Sequence, residues 1–169
     1  MGANDNADWG RIISECLDST TVAVLATGNG SRVWATPVYF SYDDSFNIYF
    51  ISPADTAHMR NIRARSSVAL AVVMPREHSG LHQVCLQVTG IASEVPDEDI
   101  ERVYEMKNRR LAPEGSSMRV ENEGHFVKDH GGMFIRISPT AMHYLDTRNF
   151  GGSPRVVPLG ALLQGTGRA

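Results

Sequence analysis

The sequence predicts a mainly β fold, an antiparallel barrel with peripheral helices. Three observations lead to this prediction: strand-like apolar segments outnumber helical ones, most connections between them are short turns, and the Gly-x-Gly-x-x-Gly and P-loop motifs of doubly wound sheets are absent. The segments indicate about seven strands and three helices. With 169 residues, of which 42% are apolar and 21% charged, the chain is expected to fold as one domain over residues 1–169.

The first half of the chain starts with a helix and continues with strands. In "DWGRIISECLDS" the apolar residues recur at helical spacing, which predicts a helix over residues 7–18 within an N-terminal segment 1–19. "TTVAVLAT", the turn "GNG" and "SRVWATPVYFSY" predict a β-hairpin. "FNIYFIS" predicts a third strand. A short helix over residues 56–65, capped by Asp55 or Thr56, then leads to a fourth strand, "SVALAVVM".

The third strand is apolar on both of its faces. One face carries Phe46, Ile48 and Phe50, and the other carries Asn47, Tyr49 and Ile51. A strand of this kind belongs inside a barrel or at a subunit contact. Because a single barrel of this size can cover only one face, the pattern predicts a homodimer.

The second half of the chain predicts a long strand, a helix and two closing strands. The long strand is "HQVCLQVTGIASEV". In "PDEDIERVYEMKNRRL" a proline and acidic residues come first and basic residues last, as the helix dipole favours, and one stripe contains Ile100, Val103, Lys107 and Leu111. Residues 113–131 are polar and irregular. "GMFIRIS" and "AMHYLDT" predict the closing strands, and residues 148–169 an irregular C-terminal arm.

Charge and composition exclude several classes of protein. A net charge of −3 argues against a protein that coats nucleic acid, and no apolar run is long enough to cross a membrane. The N-terminus is polar and acidic, unlike a secretory signal. Cys16 and Cys85 lie in apolar segments and form no disulfide framework, which fits a reducing compartment. We therefore expect a cytoplasmic protein without nucleic-acid or membrane partners.

The segment "SPADTAHMRNIRAR" concentrates positive charge at the start of the short helix. His58, Arg60, Arg63 and Arg65 face only one acid, Asp55. Ser52 and Thr56 add hydroxyl donors, and a helix N-terminus binds phosphate readily because its first N–H groups are unpaired. The segment therefore predicts an anion site. The alternative is a capped surface helix whose basic side chains are solvated.

Pro37 in "VWATPVYF" cannot donate to a sheet ladder, so it indicates an edge strand or an opening in the barrel. A flat ligand could lie along such an opening. Together, the order "VAVLAT", "RVWATPVYF", "FNIYFIS", "SPADTAHMRNI", "SSVALAVV" and "LQVTGIASEV" resembles the FMN-binding split-barrel superfamily, typified by pyridoxamine 5'-phosphate oxidase. The resemblance covers residues 20–112 and, more loosely, the strands at 132–146. The Thr-x-His at Thr56 is similar to a subgroup of bacterial YhbP-type proteins.

The resemblance implies an antiparallel split β-barrel that binds FMN at the interface of a homodimer. It also implies hydride transfer from a reduced nicotinamide, through FMN, to a small organic substrate or oxygen. Ser52, Thr56 and His58 fall on the family's phosphate contacts, although His58 stands where lysine or arginine is usual, so that help from Arg60 is expected. The ring would lie along Ala35, Thr36, Pro37 and Val38. Gln83 or Gln87, on a strand that reaches a neighbouring subunit's site in this family, could bond the ring edge.

Other functions stay open at this point. The chain could hold a flavin, a deazaflavin or haem without turnover, with His58, His82 or His143 as a haem ligand. Zinc is disfavoured, because the pairs His78/His82 and His125/His130 lie in polar loops without a known ligand spacing. A pyridoxamine phosphate oxidase proper is disfavoured because "TRNFGGSPRVVPL" does not match that enzyme's arginine-rich C-terminal pattern. No pair of residues is identified as catalytic.

Overall fold

The computed structural model describes residues 7–30, 32–75, 82–112 and 132–162. The helices are α1 (Trp9–Asp18), α2 (Ala57–Ala64), α3 (Ile100–Leu111) and α4 (Leu159–Leu162), with a 3₁₀ turn at Asp97–Asp99 before α3. The strands are β1 (Val22–Gly28), β2 (Val33–Tyr39), β3 (Ser41–Tyr42), β4 (Ile48–Pro53), β5 (Ser67–Val73), β6 (Val84–Glu94), β7 (Gly132–Asp146) and β8 (Arg155–Val156). None of the helices in these ranges is long and apolar enough to cross a membrane.

The eight strands form one antiparallel sheet in the order β2-β1-β5-β6-β7-β4-β3, with β8 added beside β7. The sheet curls so that β2, at one end, lies beside β4 near the other end, with no backbone pairing between them. The predicted fold class, a mainly β antiparallel barrel with peripheral helices, is confirmed. The barrel is split between β2 and β4.

The core fills the inside of the curled sheet. β1 and β5 alternate between buried and outward-facing positions, as the two-residue period of a strand requires. Helix α1 packs against β5, β6 and α4, and Ile13, Cys16 and Leu17 from its apolar stripe are fully buried. Asp8 caps α1 by accepting a hydrogen bond from the Arg11 N–H at 3.1 Å.

Helix α3 covers the second apolar face of β4. Tyr49 on that face packs in a cluster with Val95, Val103, Tyr104 and Phe134, all buried. The reasoning that only a partner subunit could cover this face is therefore wrong, because α3 folds back over β4 and removes it from solvent within one chain.

The two predicted closing strands form one strand, β7. The strand continues through Pro139, which lies beside a bulge: Gly90 pairs with Pro139 while Thr89 pairs with Ala141, which leaves Thr140 as the extra residue. The missing N–H of proline is tolerated there because the ladder is already interrupted. The backbones pass closely, since a Cβ on Gly90 would lie 2.7 Å from the carbonyl oxygen of Ser138.

The C-terminal arm is more ordered than predicted as far as residue 162. It contains β8 and α4, and its Val157 and Leu162 are buried in the main core. The prediction of irregular structure at 113–131 lies outside the described residues.

Candidate functional site

A cleft of about 350 Å³ lies in the split between β2 and β4. Pro37 and Val38 line it from β2, the β4 residues 49–53 line it from the facing strand, and α2, α3 and β7 complete the wall. The opening exists because β2 pairs only with β1, and β3 covers only the first two residues of β4. Pro37 thus lies on an edge strand, as its missing N–H predicts. A cleft of this size and largely apolar lining is typical of a small-molecule site.

Three polar side chains meet at the α2 end of the cleft. The Oγ of Ser52 lies 2.7 Å from Nε2 of His58 and 3.2 Å from Oγ1 of Thr56, and Thr56 Oγ1 lies 3.2 Å from the same ring nitrogen. Ser52 comes from the end of β4, Thr56 is the residue just before α2, and His58 lies in the first turn of that helix. The structure therefore brings together the three residues that the resemblance assigned to phosphate, and we call them the polar cluster.

Thr56 occupies the N-cap position of α2 but makes no side-chain cap bond. Its Oγ1 lies instead 3.2 Å from the carbonyl oxygen of Pro53, within the turn that follows β4. The first N–H groups of α2 consequently have no side-chain acceptor at the cap. Such N–H groups, with hydroxyls beside them, suit an anion at this end of the cleft.

His58 is not a cation in this setting. Its residue is only 9% exposed, and burial lowers the pKa of the imidazole below its ordinary value of 6.5. Among the described carboxylates, none forms an ion pair with it. At neutral pH, His58 contributes a hydrogen-bonding nitrogen and no positive charge.

Three arginines, Arg60 and Arg63 of α2 and its C-cap Arg65, are exposed and lie outside the lining of the cleft. Arg60 donates to the backbone carbonyl of Asp55, and Arg63 donates to that of Ala54 at 2.7 Å. Both side chains therefore hold the turn between β4 and α2. Arg65 is the exposed C-cap residue of α2.

The remaining predicted ring contacts divide into two groups. Pro37 and Val38 line the cleft, whereas Ala35 and Thr36, earlier on β2, do not. Gln83 and Gln87 are exposed; Gln87 lies on the outward side of β6, where it pairs with Ala71 of β5, and neither residue lines the cleft of its own chain.

Reasoning from the sequence missed the contribution of α3 and β7 to this site. Lys107 and Leu111 of α3 and Phe134 of β7 line the cleft, together with Tyr49 and Phe50 of β4. One signal was present in the sequence, because Lys107 is a cation within the apolar stripe of α3. No local pattern could show that this stripe faces β4.

His82 has a structural role at the end of β7. His82 Nε2 lies 2.9 Å from Oδ1 of Asp146, and that carboxylate also accepts from the N–H groups of Arg148 and Asn149, so the pair anchors the turn after β7. Within the described ranges, no group of three histidine, cysteine or acidic side chains could hold a metal ion. His78, His125 and His130 lie outside those ranges.

A family model described as pyridoxamine 5'-phosphate oxidase matches residues 12–128 of this chain. No curated protein sequence matches it. Among solved structures, a haem-binding protein from Mycobacterium smegmatis has a TM-score of 0.68 at 15% identity, covering 97% of this chain and 62% of that one. A candidate pyridoxamine 5'-phosphate oxidase from Listeria innocua has a TM-score of 0.60 at 20% identity, covering 80% and 97%. An FAD-binding protein from Mesorhizobium loti has a TM-score of 0.56 at 17% identity, covering 78% and 88%. At identities this low, the likeness shows a shared fold and nothing more.

Proposed function

Because this chain belongs to the pyridoxamine 5'-phosphate oxidase family, we propose that it binds FMN in the cleft between β2 and β4 and acts as a flavin-dependent oxidoreductase. Its reaction would pass hydride from a reduced nicotinamide to a small organic substrate or to oxygen. The observation that supports this most is the polar cluster at the uncapped start of α2, placed at the end of an apolar cleft.

The residues of the cleft fit this cofactor chemically. A flavin mononucleotide has a flat, largely apolar ring and a phosphate. Pro37, Val38 and Phe50 offer an apolar wall for the ring, and the polar cluster with the α2 N–H groups offers donors for the phosphate. Arg60 donates to the turn between β4 and α2 and adds positive charge outside the cleft. Ala35 and Thr36 continue the wall along β2 in this proposal.

FMN, when bound, supplies a ring that accepts and returns hydride. The chain's own side chains bind the phosphate, orient the ring and exclude water from its face. This division of work explains why the described lining of the cleft contains no pair of carboxylates for acid–base chemistry.

The proposal includes a homodimer with the site at its interface. β1, β2 and β5 are adjacent in the sheet and contain no charged residue, yet their outward positions are exposed. We call the exposed side of these three strands and β6 the outer face. Its exposed large apolar side chains are Val22, Val24, Val33, Tyr39, Val73 and Ile91. An uncharged apolar face of this extent favours burial against a second copy, and Gln87 on the same side could then reach the partner's cleft.

A second candidate function is a binding protein that holds haem or a flavin without turnover. The buried, neutral imidazole of His58 favours it, because neutral imidazole is the form that ligates iron. The likeness to the haem-binding protein of Mycobacterium smegmatis adds support at the level of fold. A deazaflavin would use the same apolar wall and phosphate donors as FMN.

The absorption spectrum of the purified protein, with mass analysis of the released cofactor, separates these candidates. FMN is expected, and a haem spectrum would favour the second function. Melting curves then test the phosphate contacts: saturating FMN should raise the melting temperature by mass action, and riboflavin should raise it less. Ser52→Ala should reduce the FMN shift selectively. Equal shifts for both flavins would place the affinity in the ring alone.

A further inference from the structure

The wall of the cleft contains the charged side chain of Lys107. Lys107 comes from the inward side of α3, in the third turn of that helix, and lines the cleft with Tyr49, Leu111 and Phe134. Among the residues that the structure describes, the lining contains no aspartate or glutamate, and Lys107 is its one cation at neutral pH, since His58 is neutral. The cleft is therefore an apolar site with a net positive charge.

Among the residues that the structure describes, Lys107 also has no anionic partner of the kind that a half-buried ammonium group needs. Within the described ranges, no carboxylate lies at ion-pair distance from it. Its Nζ lies 5.7 Å from the centre of the Tyr104 ring, a contact that holds the side chain against α3 without neutralising its charge. Burial lowers the pKa of Lys107 for the same reason, because the charged form has lost water and gained no anion.

The arginines near the cleft do not add a second positive charge to its lining. Arg60 and Arg63 donate to backbone carbonyls of the turn before α2, and both lie outside the lining. Three residues further along α3, Arg110 is bonded to Asp18 at 2.6 Å and lies outside the lining of the cleft. Among the described lining residues, Lys107 is thus the one full positive charge that an anion in the cleft meets.

We propose that Lys107 is a ligand-binding residue that makes this cleft selective for a flat aromatic ligand bearing an anionic group. The choice of FMN as the first probe rests on the proposed function, whereas the choice of an anionic aromatic ligand rests on Lys107 and the cleft. An anion there restores the electrostatic stabilisation that the ammonium group loses on burial, and a neutral analogue does not.

The first test compares FMN with riboflavin in four proteins: wild type, Lys107→Met, Lys107→Arg and Arg109→Met. Methionine keeps the length and apolar stem of lysine without its charge, and Arg109 is an exposed control on the same helix. Lys107→Met should weaken FMN binding by about 10- to 100-fold, the loss of one charge-assisted bond, and change riboflavin binding by less than about twofold. Lys107→Arg should retain most of the affinity. An FMN loss no larger than that of Arg109→Met, or an equal loss for riboflavin, overturns the inference and leaves the proposed FMN site intact.

The second test does not depend on FMN. If wild type binds neither flavin, the proposed function fails, and 1-naphthyl phosphate and 1-naphthol become the probes, measured by calorimetry. Wild type should prefer the phosphate, and Lys107→Met should lose that preference. If wild type has no preference for the phosphate, or binds neither naphthyl compound, the inference is overturned as well.

A spectroscopic readout excludes a merely structural role for Lys107. The sequence contains two lysines, Lys107 and Lys128, so reductive methylation with ¹³C gives few signals, and the one absent from Lys107→Met is that of Lys107. This signal should shift, and its pKa should rise, when whichever anionic probe binds wild type reaches saturation. A signal that is unchanged at saturation contradicts a contact between Lys107 and the anion.

Discussion

At the scale of single residues, burial determines what the polar cluster can do. Ser52 and His58 are 4% and 9% exposed, and the hydroxyl and ring nitrogen that join them are 2.7 Å apart. A solvent-exposed histidine at the start of a helix would become positively charged as the pH falls below neutrality. Here desolvation lowers the pKa of His58, so the residue that the resemblance aligned with a lysine or arginine is a neutral hydrogen-bonding group.

This shift predicts a pH dependence of stability. The folded protein protonates His58 less readily than the unfolded chain, whose histidine has its ordinary pKa of 6.5. The contribution of the neutral ring is therefore present above pH 6.5, and it is lost as the pH falls through 6.5 and the lower pKa of the folded state. Between pH 7.5 and pH 5, wild type should lose more free energy of unfolding in urea than His58→Gln does. His143→Gln controls for removal of a histidine elsewhere, and equal losses in wild type and His58→Gln would contradict the prediction.

At the scale of elements, α3 organises two neighbouring regions. Its apolar side covers β4 and brings Lys107 to the cleft. Its last turn is hydrogen-bonded to the end of α1 through Arg110. Arg110 donates to Asp18 Oδ1 at 2.6 Å, to the carbonyl of Thr20 at 2.9 Å and to that of Leu17. Its guanidinium also lies 5.0 Å from the ring centres of Phe40 and Tyr42. One side chain thus links α3, the end of α1 and the start of β3.

We expect Arg110→Ala to destabilise the protein by on the order of 1.5–3 kcal/mol, because its charge-assisted bonds to a carboxylate and to backbone carbonyls are lost. Arg109→Ala, one residue earlier and exposed, should change the free energy of unfolding by less than about 0.5 kcal/mol. Arg110→Lys should rescue little, since an ammonium group cannot serve several acceptors and two rings at once. Urea unfolding of the three variants measures this, and a stable Arg110→Ala protein would refute the role assigned to Arg110.

At the scale of the whole molecule, the curled sheet has one covered side and one bare side. The inner side encloses the core, and α3 covers β4, but nothing in the described chain covers the outer face of β1, β2 and β5. Val24, at 44% exposed, lies near the middle of that face between Pro37 of β2 and Ala71 of β5. The homodimer stays a prediction, now supported by this face and no longer by β4.

Val24→Arg should convert the dimer to a monomer, because it places an unpaired charge in an apolar contact. Ser45→Arg, an equal change of charge on the exposed turn before β4, should leave the dimer intact. Sedimentation velocity at micromolar concentration measures both. A monomeric wild type would remove the interface from the proposed site, and a dimeric Val24→Arg would place the interface elsewhere.

The local sequence determined most of the strands, the helices α1, α2 and α3 and one end of the site, but not β3, β8 or α4. Two-residue periods in "VAVLAT" and "SVALAVV" predict β1 and β5 because a half-buried strand requires them. Pro37 indicates an edge because it has no N–H to give. Ser52, Thr56 and His58 come together because a strand end and the first helical turn after it are close in any arrangement of the rest.

Only the tertiary structure decided the features that depend on distant parts of the chain. β7 is one strand because the bulge beside Gly90 accommodates Pro139, and that bulge needs β6 as its partner. β4 is covered because α3, some fifty residues later in the sequence, folds over it. Lys107 lines the cleft for the same reason. A sequence pattern shows which face of an element is apolar, but not which surface that face will contact. The packing of each face depends on the shapes and positions of all the other elements of the chain.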